Sequence, residues 1–254
     1  MRLRIDADHD FLNCWVMAFA RNSGLNDAEI AATLAATGRV QINDFLEPSG
    51  TEALLAHLTE ADRWIHVLNS ADKVYEIACD VLATMDDANR AILRRKTDEE
   101  AARGFQFHFD TIRVPDSRQE RIAASNLLAD FALFISSPPI VRWFRKITGC
   151  PGIDFADCQA TRYRNGDFLT RHDDAVEGKH RQFAYVLGLT QEWRAEWGGL
   201  LIFPQDEATS IETLVPRFNV LSLFKIGQQH SVSQVASYAP LPRISVTGWL
   251  RSSD

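Results

Sequence analysis

"YRNGDFLTRHDD", residues 163–174, combines a turn with two possible metal ligands. Gly166 permits a tight turn, and the apolar residues that follow it indicate the start of a strand. Side chains at positions i and i+2 of an extended strand share a face, so His172 and Asp174 are expected to point the same way. The stretch therefore predicts half of a metal site, which needs a third ligand from elsewhere in the chain.

The composition is that of an ordinary globular chain, with 46% hydrophobic and 24% charged residues among 254. A formal charge of −7 disfavours nucleic acid as a partner, because phosphate backbones call for a basic excess. No apolar run reaches the roughly 18–20 residues that span a bilayer, so no membrane partner is expected. The longest such run, "NLLADFALFI" at 126–135, is interrupted by Asp130.

The four cysteines show no metal-binding or disulfide pattern. They are Cys14, Cys79, Cys150 and Cys158, without CxxC spacing. The first ten residues are charged where a secretory signal is apolar. We therefore expect reduced thiols and a cytoplasmic location.

The chain changes character at Gly149. Before it, 9–36 and several later stretches have helical patterns, and Asn26 or Asp27 is placed to cap a helix. The segment 104–114, "GFQFHFDTIRV", alternates like a half-buried strand. After Gly149, six β-segments follow at intervals typical of an antiparallel unit. The pattern predicts a helical half packed on a β-sandwich or barrel.

His230 is the best candidate for the third ligand among seven histidines. It stands at the entry of a late strand, after a glycine turn, in "KIGQQHSVSQV" at 225–235. His66 and His108 lie in earlier strands, where packing or substrate contact is the expected role. Two histidines and one carboxylate form a facial triad that leaves open coordination positions, and without thiolates this set suits Fe(II) or Mn(II).

Thirteen residues beyond His230, Arg243 and Ser245 share one face of a strand. With the opening stretch they complete a chain of motifs that closely resembles the 2-oxoglutarate- and Fe(II)-dependent dioxygenases, specifically their prolyl hydroxylase branch. The matching residues are Tyr163, Gly166, Phe168, Leu169, His172, Asp174, Gly198, Gly199, Leu200, Phe203, His230, Val232, Arg243, Ser245, Gly248 and Trp249.

The resemblance covers roughly residues 38–250. It implies a mainly β fold, a double-stranded β-helix (a jelly-roll or cupin-like barrel) buttressed by helices. Residues 38–254 are the predicted dioxygenase domain, with helical support over 51–148 and a β core over 153–250. Residues 1–37 have no counterpart and are predicted to be a helical extension.

The resemblance also implies the cofactors and the metal ligands. His172, Asp174 and His230 would bind Fe(II) and carry the catalysis. The cosubstrates would be 2-oxoglutarate and O2, with ascorbate as reductant. The implied reaction hydroxylates an unactivated C–H bond, chiefly in a prolyl residue of a protein or peptide, and yields succinate and CO2.

Further roles follow by matching position. Arg243 would pair with the distal carboxylate of 2-oxoglutarate, helped by Ser245 and Tyr185. Tyr163 would line the site near the metal end of the cosubstrate, and Trp249 would pack beside the iron pocket. The two tyrosines also fit as ordinary barrel aromatics, and Trp249 also fits as core.

Other functions remain open at this point. Hydroxylation of a small molecule is one alternative, and a non-catalytic metal-binding module of the cupin type is another. The helices also fit an interaction protein with a vestigial oxygenase fold. The nucleic-acid demethylases of this fold place an arginine six residues after the cosubstrate arginine; Trp249 stands there, so that branch is set aside. Phe105, Phe107, His108 and Phe109 fit either a peptide lid or the core.

Overall fold

A computed structural model describes residues 19–71, 73–205 and 210–252, in which seven α-helices lie against a strongly curled antiparallel sheet. The start of the predicted extension, with His9, Cys14 and most of the helix expected over 11–20, lies outside the described residues. The helices are α1 Asp27–Thr37, α2 Pro48–Glu60, α3 Cys79–Thr84, α4 Asp87–Ala101, α5 Arg118–Ala124, α6 Leu127–Ile135 and α7 Pro138–Thr148.

In the part of the chain that the structure describes, thirteen strands form one sheet. They are β1 Arg39–Ile42, β2 Ile65–Ser70, β3 Lys73–Ala78, β4 Phe107–Arg113, β5 Ile153–Ala156, β6 Gln159–Tyr163, β7 Phe168–His172, β8 Arg181–Gly188, β9 Leu201–Gln205, β10 Ser210–Leu214, β11 Val220–Lys225, β12 His230–Val232 and β13 Arg243–Ser252. The order along the sheet is β1-β11-β8-β13-β6-β4-β7-β12-β9-β10, with the β2–β3 hairpin beside β4, and β5 beside β13.

The helix boundaries follow local signals. Asn26 caps α1 by accepting a hydrogen bond from the backbone N of Glu29 at 3.3 Å. Pro138 opens α7 and so separates it from α6. Pro48 occupies the first residue of α2, where the missing N–H is not needed.

The two faces of the sheet bury different cores. On β13, Ile244 and Val246 point toward the helices and join their large apolar cluster. Arg243 and Ser245 alternate with them and point into the curl of the sheet. A second, smaller cluster around Phe203 fills that interior. The sheet therefore has a helix-covered outer face and an inner face that carries polar residues.

The described part of the predicted extension packs against the domain. Ile30 and Leu34 of α1 are buried in the large cluster. The indole N–H of Trp143 on α7 donates to Asp27 at 2.8 Å, and Lys146 pairs with the same carboxylate at 2.8 Å. The domain boundary at residue 37 stays a prediction.

The lengths and hydropathy of the described helices decide whether any of them could cross a membrane. None of these helices is by itself long and apolar enough to cross a bilayer. The bent pair of α6 and α7 passes by length and composition only, and it buries Leu128, Phe131 and Phe144 in the core.

Candidate active site

Three ligand side chains converge inside the curl of the sheet. His172 ends β7 and lies directly opposite His230 on β12. The Nε2 atoms of His172 and His230 lie 3.4 and 3.3 Å from the two carboxylate oxygens of Asp174. One ligand atom from each residue lies within 4.8 Å of the others. The predicted trio is thus brought together at one point.

Asp174 reaches this point by a different route from the one expected. The sequence pattern placed it on an extended strand, two residues after His172. Strand β7 ends at His172, and Asp174 has a left-handed φ of 62°. The carboxylate therefore turns toward the histidines because the backbone bends there, and the expectation of an extended i, i+2 pair is wrong.

Backbone carbonyls fix the orientation of both imidazoles. The Nδ1 of His172 lies 3.0 Å from the carbonyl oxygen of Thr170, and the Nδ1 of His230 lies 2.9 Å from that of Gln228. Because each Nδ1 is bonded to a backbone carbonyl, Nε2 is the ring nitrogen that faces Asp174 and would face a bound metal ion. Burial acts to raise the pKa of Asp174, but hydrogen bonding and charge from the two histidines lower it well below its usual value, so the carboxylate is ionised.

Arg243 carries a charge that the described residues do not neutralise. Its side chain is 4% exposed, and its Nη1 has no hydrogen-bond partner. Its guanidinium lies over the ring of Tyr163 at 5.1 Å. Burial lowers the pKa of Arg243, against the opposing effect of Tyr163. An unpaired buried cation is costly, so this geometry calls for an anion.

Ser245 lies on the strand face of Arg243, as the sequence predicted, whereas Tyr163, which was expected near the metal end of the cosubstrate, packs against the guanidinium of Arg243. The Ser245 hydroxyl is 2.8 Å from that of Thr161 and is buried. Tyr163 lies opposite Arg243 in the pairing of β6 with β13 and is 4% exposed. Burial raises the pKa of Tyr163 well above its usual value, so the phenol is neutral.

Tyr185 does not reach the arginine, and its predicted role is wrong. It pairs with Gly248 of β13, which shares a face with Ile244 and Val246. Its side chain is fully buried in the cluster on the helical side of the sheet. Its hydroxyl donates to the carbonyl oxygen of Asp157 at 2.7 Å. The strand register turns its side chain away from Arg243.

Trp249 lines the interior, together with a residue that the sequence did not single out. The guanidinium of Arg181 lies 3.5 Å from the Trp249 ring centre, and it donates to the carbonyl oxygen of Asp174 at 3.1 Å. Arg181 Nε and Trp249 Nε1 are buried without hydrogen-bond partners. The only sequence signal for Arg181 was its place at the start of β8, after the loop that follows Asp174 (the ligand loop).

These residues surround one open cavity of about 560 Å³. The triad, Arg243, Ser245, Tyr163 and Trp249 line it, as do Phe105, Phe107 and Phe109. A metal held by the triad and an anion held by Arg243 would therefore share one space.

A second group of ligand-type residues lies on the opposite face of the sheet. His66, Asp110 and Asp167 are buried with ligand atoms within 4.8 Å of one another. Arg162 and Arg164 contact Asp110 at 2.8 Å each. Because two guanidinium groups already neutralise this carboxylate, the cluster is an ion-pair network and a poor cation site.

Comparison with known proteins relates the segment that carries this site to a family. The model of the 2OG-Fe(II) oxygenase superfamily matches residues 158–251, the segment that carries every residue of the triad and Arg243. The match covers less than half of the chain, and the matched segment, 158–251, resembles a 2OG-Fe(II) oxygenase domain. The resemblance predicted from the motifs is confirmed, and so is its prolyl hydroxylase-like character.

Curated relatives are prolyl 3-hydroxylases. The chain is 34% identical over 115 residues to "Prolyl 3-hydroxylase OGFOD1" of Xenopus laevis, covering 42% of this chain and 22% of the relative. It is 29% identical over 137 residues to "Prolyl 3-hydroxylase sudestada1" of Drosophila melanogaster, covering 50% and 25%. The chain thus spans a quarter or less of the length of these relatives.

Solved structures share the fold. A Pseudomonas putida prolyl-4-hydroxylase aligns with a TM-score of 0.54 and 19% identity, over 90% of this chain and 100% of that one. A Trichoplax adhaerens prolyl hydroxylase, solved with a hypoxia inducible factor peptide, aligns with a TM-score of 0.60 and 15% identity, over 89% of each. The predicted double-stranded β-helix with helical support is confirmed.

The site fits the cofactors of this family, which are Fe(II), 2-oxoglutarate and O2. Two imidazoles and a carboxylate are a donor set for ferrous iron with open coordination positions. The unbonded nitrogen of Arg243 is a suitable donor for a carboxylate. Both requirements of the cosubstrate, a metal and a cation, are met in one cavity.

Proposed function

We propose that the protein is a Fe(II)- and 2-oxoglutarate-dependent dioxygenase that hydroxylates a prolyl residue of a protein or peptide. One observation carries the proposal: a convergent His–Asp–His trio and an unpaired buried arginine line the same cavity. A simple metal-binding module has no need for the arginine. The prolyl target is supported by the names of the curated relatives.

In this proposal, each residue has a separate task. His172, Asp174 and His230 hold the metal, and the carbonyls of Thr170 and Gln228 keep both imidazoles in the ligating tautomer. Bound Fe(II) supplies the chemistry by which O2 and 2-oxoglutarate give succinate, CO2 and a hydroxylated C–H bond.

The cosubstrate is held by the inner part of the cavity. Arg243 binds its distal carboxylate through the free Nη1, and Ser245 lies on the same strand face. Tyr163 lines the space beside them as a neutral phenol and packs against the guanidinium. Because these three residues are almost fully buried, they keep water from the anionic end of the site.

Succinate release tests the reaction class. Purified protein with Fe(II), ascorbate and 2-oxoglutarate is expected to form succinate slowly, and His172→Ala should reduce this to the level of a protein-free sample. His57→Ala, a matched histidine change on α2 outside the cavity, should retain it. Equal succinate formation by wild type and His172→Ala would contradict the proposal.

The substrate class has its own test. Candidate proteins and peptides incubated with the enzyme should gain the mass of one oxygen on a proline, located by fragmentation. Oxygen gained only by a small molecule would instead identify a small-molecule hydroxylase. A cytoplasmic location and ascorbate as reductant remain part of the proposal, because a ferrous ion and free thiols at Cys79, Cys150 and Cys158 suit a reducing compartment.

A further inference from the structure

Three phenylalanines form one continuous wall of the cavity. Phe105, Phe107 and Phe109, named here the aromatic wall, have neighbouring ring centres 5.8 and 5.9 Å apart. At one end the Phe105 ring lies 5.7 Å from that of His172. At the other end Phe109 stacks on Tyr163 at 5.0 Å. The aromatic wall therefore runs from the metal ligands to the residue that packs on the cosubstrate arginine.

Phe105 is half exposed although its backbone is firmly held. Its side chain is 50% exposed, and its carbonyl oxygen accepts a hydrogen bond from Asn69 at 3.0 Å. The next residue, Gln106, exchanges hydrogen bonds with Thr170, at 2.7 Å to the hydroxyl and 2.9 Å to the backbone N. A large apolar ring that is fixed at a cavity mouth, rather than packed away, is typical of a contact site.

The same hydrogen bonds join the aromatic wall to the metal site. Thr170, which binds the backbone of Gln106, also accepts the Nδ1–H of His172. A ligand in contact with Phe105 would therefore lie next to the hydrogen bonds that orient the imidazole of His172. Because Phe105 lies close to His172, the aromatic wall borders the space next to the metal ligands and is not a remote part of the surface.

Of the two arginines on this side of the cavity, one is paired with a carboxylate and the other keeps a nitrogen without a partner. Arg113, on the same strand face as the aromatic wall, forms an ion pair with Glu76. Arg181 lies on Trp249 and donates to the Asp174 backbone. The apolar surface continues at Val176, which is 48% exposed in the ligand loop. The phenyl rings of the aromatic wall themselves offer no hydrogen-bond partner, so an acidic or strongly polar side chain seated against them would lose water without compensation from the rings.

We propose that the aromatic wall is the subsite for the side chain that is hydroxylated, and that it selects an uncharged saturated ring. The inference rests on the proposed function and deepens it, because it gives a physical reason for a prolyl substrate. A pyrrolidine ring presents flat apolar faces to the phenyl rings and loses little conformational entropy on binding. Phe105 and Phe107 are the residues that set this specificity.

Equilibrium binding without turnover tests the subsite. Immobilised protein with Fe(II) and 2-oxoglutarate, kept under argon, is exposed to peptide pools with randomised flanks and a fixed central proline, aspartate or alanine. Mass spectrometry of the retained peptides measures enrichment. Wild type should enrich the proline pool over the aspartate pool, and Phe105→Ala and Phe107→Ala should each reduce that enrichment about tenfold.

Two further variants make the result specific. Phe105→Tyr keeps an aromatic ring and should retain the enrichment. Tyr75→Ala removes a similarly exposed aromatic, 46% exposed, that does not line the cavity, and should also retain it. Unchanged enrichment in both alanine variants of the aromatic wall, or no preference of wild type for proline over aspartate, overturns the inference. Succinate formation in air reports separately on the proposed function.

Discussion

Arg243 is buried and has no acidic partner among the described residues, unlike the less buried Arg162 and Arg164. Arg162 and Arg164 both contact Asp110 at 2.8 Å, whereas Arg243 meets only the face of Tyr163. A desolvated guanidinium with a free nitrogen destabilises the empty protein and attracts an anion. The same feature should therefore govern both cosubstrate affinity and the stability of the unliganded protein.

Replacing this arginine separates cosubstrate binding from metal binding. Arg243→Met should weaken 2-oxoglutarate binding about 10–100-fold, since a charged hydrogen bond contributes about 1.5–3 kcal/mol. Titration of 2-oxoglutarate into Mn(II)-loaded protein measures this, and Mn(II) affinity without 2-oxoglutarate should be unchanged. Equal loss of both affinities would count against the assigned role.

Asp157 should make stability depend on pH. Burial raises the pKa of its carboxyl to about 6, despite the hydrogen bond from the backbone N of Trp249 at 2.6 Å. The folded protein therefore holds this proton more tightly than the unfolded chain, so the free energy of unfolding falls as pH rises from about 4 to about 6 and stays lower above that.

Replacing the Asp157 carboxyl group with an amide should remove this loss of stability at higher pH. Asp157→Asn keeps an acceptor for Trp249, and we expect it to raise the free energy of unfolding by about 1–3 kcal/mol at pH 8 with no gain at pH 4. Urea unfolding at the two pH values measures the difference. Asp116→Asn is the control, because this exposed residue also contacts Arg251. A gain of the same size at both pH values would refute the explanation.

The residues of the site were predicted best where they lie at short, fixed spacings in the sequence. The HxD pair and the later Arg243–Ser245 pair have short, fixed separations, and the structure brings all of them to one cavity. Tyr185 was assigned by its distance from His172 along the chain, which does not determine the face it occupies. That face depends on its pairing with Gly248, a register that a single sequence does not show.

Among the elements, β4 serves two purposes through simple alternation. Phe107 and Phe109 face the cavity, whereas His108 and Asp110 face the opposite side. There Asp110 accepts a hydrogen bond from His66 at 2.8 Å, and His108 lies 2.7 Å from a carboxylate oxygen of Asp167. The alternation was visible in the sequence, but the partners of His66 and His108 were not, because they come from other strands.

The polar network of His66, Asp110, Arg162 and Arg164 should contribute strongly to the free energy of unfolding. Burial acts to raise the pKa of Asp110, but His66, Arg164 and Arg162 lower it to about 2. Asp110→Asn leaves these cations without a buried counter-charge and should reduce the free energy of unfolding by about 3–5 kcal/mol. Denaturant unfolding at pH 7 measures the loss, with the exposed Asp98→Asn on α4 as control. A loss below about 1 kcal/mol, the median for surface pairs, would contradict this account.

For the whole molecule, the division at Gly149 and the barrel type were predictable, but the sheet order was not. Local periodicity and proline positions indicate where elements begin and end. The pairing of β1 with β11, which places Arg39 opposite Phe224, joins segments far apart in sequence and leaves no local signal. The left-handed backbone of Asp174 also lacks a signal in the residue pattern, and only the structure reveals it.

The unpaired guanidinium of Arg243 has a consequence for the life of the protein in a cell. A ligand that binds only the folded chain raises its stability with the logarithm of its concentration. With 2-oxoglutarate as that anion, starvation for this metabolite should increase the unfolded fraction and speed proteolytic clearance. Pulse-chase half-lives should therefore lengthen when cells are fed a permeable ester of 2-oxoglutarate.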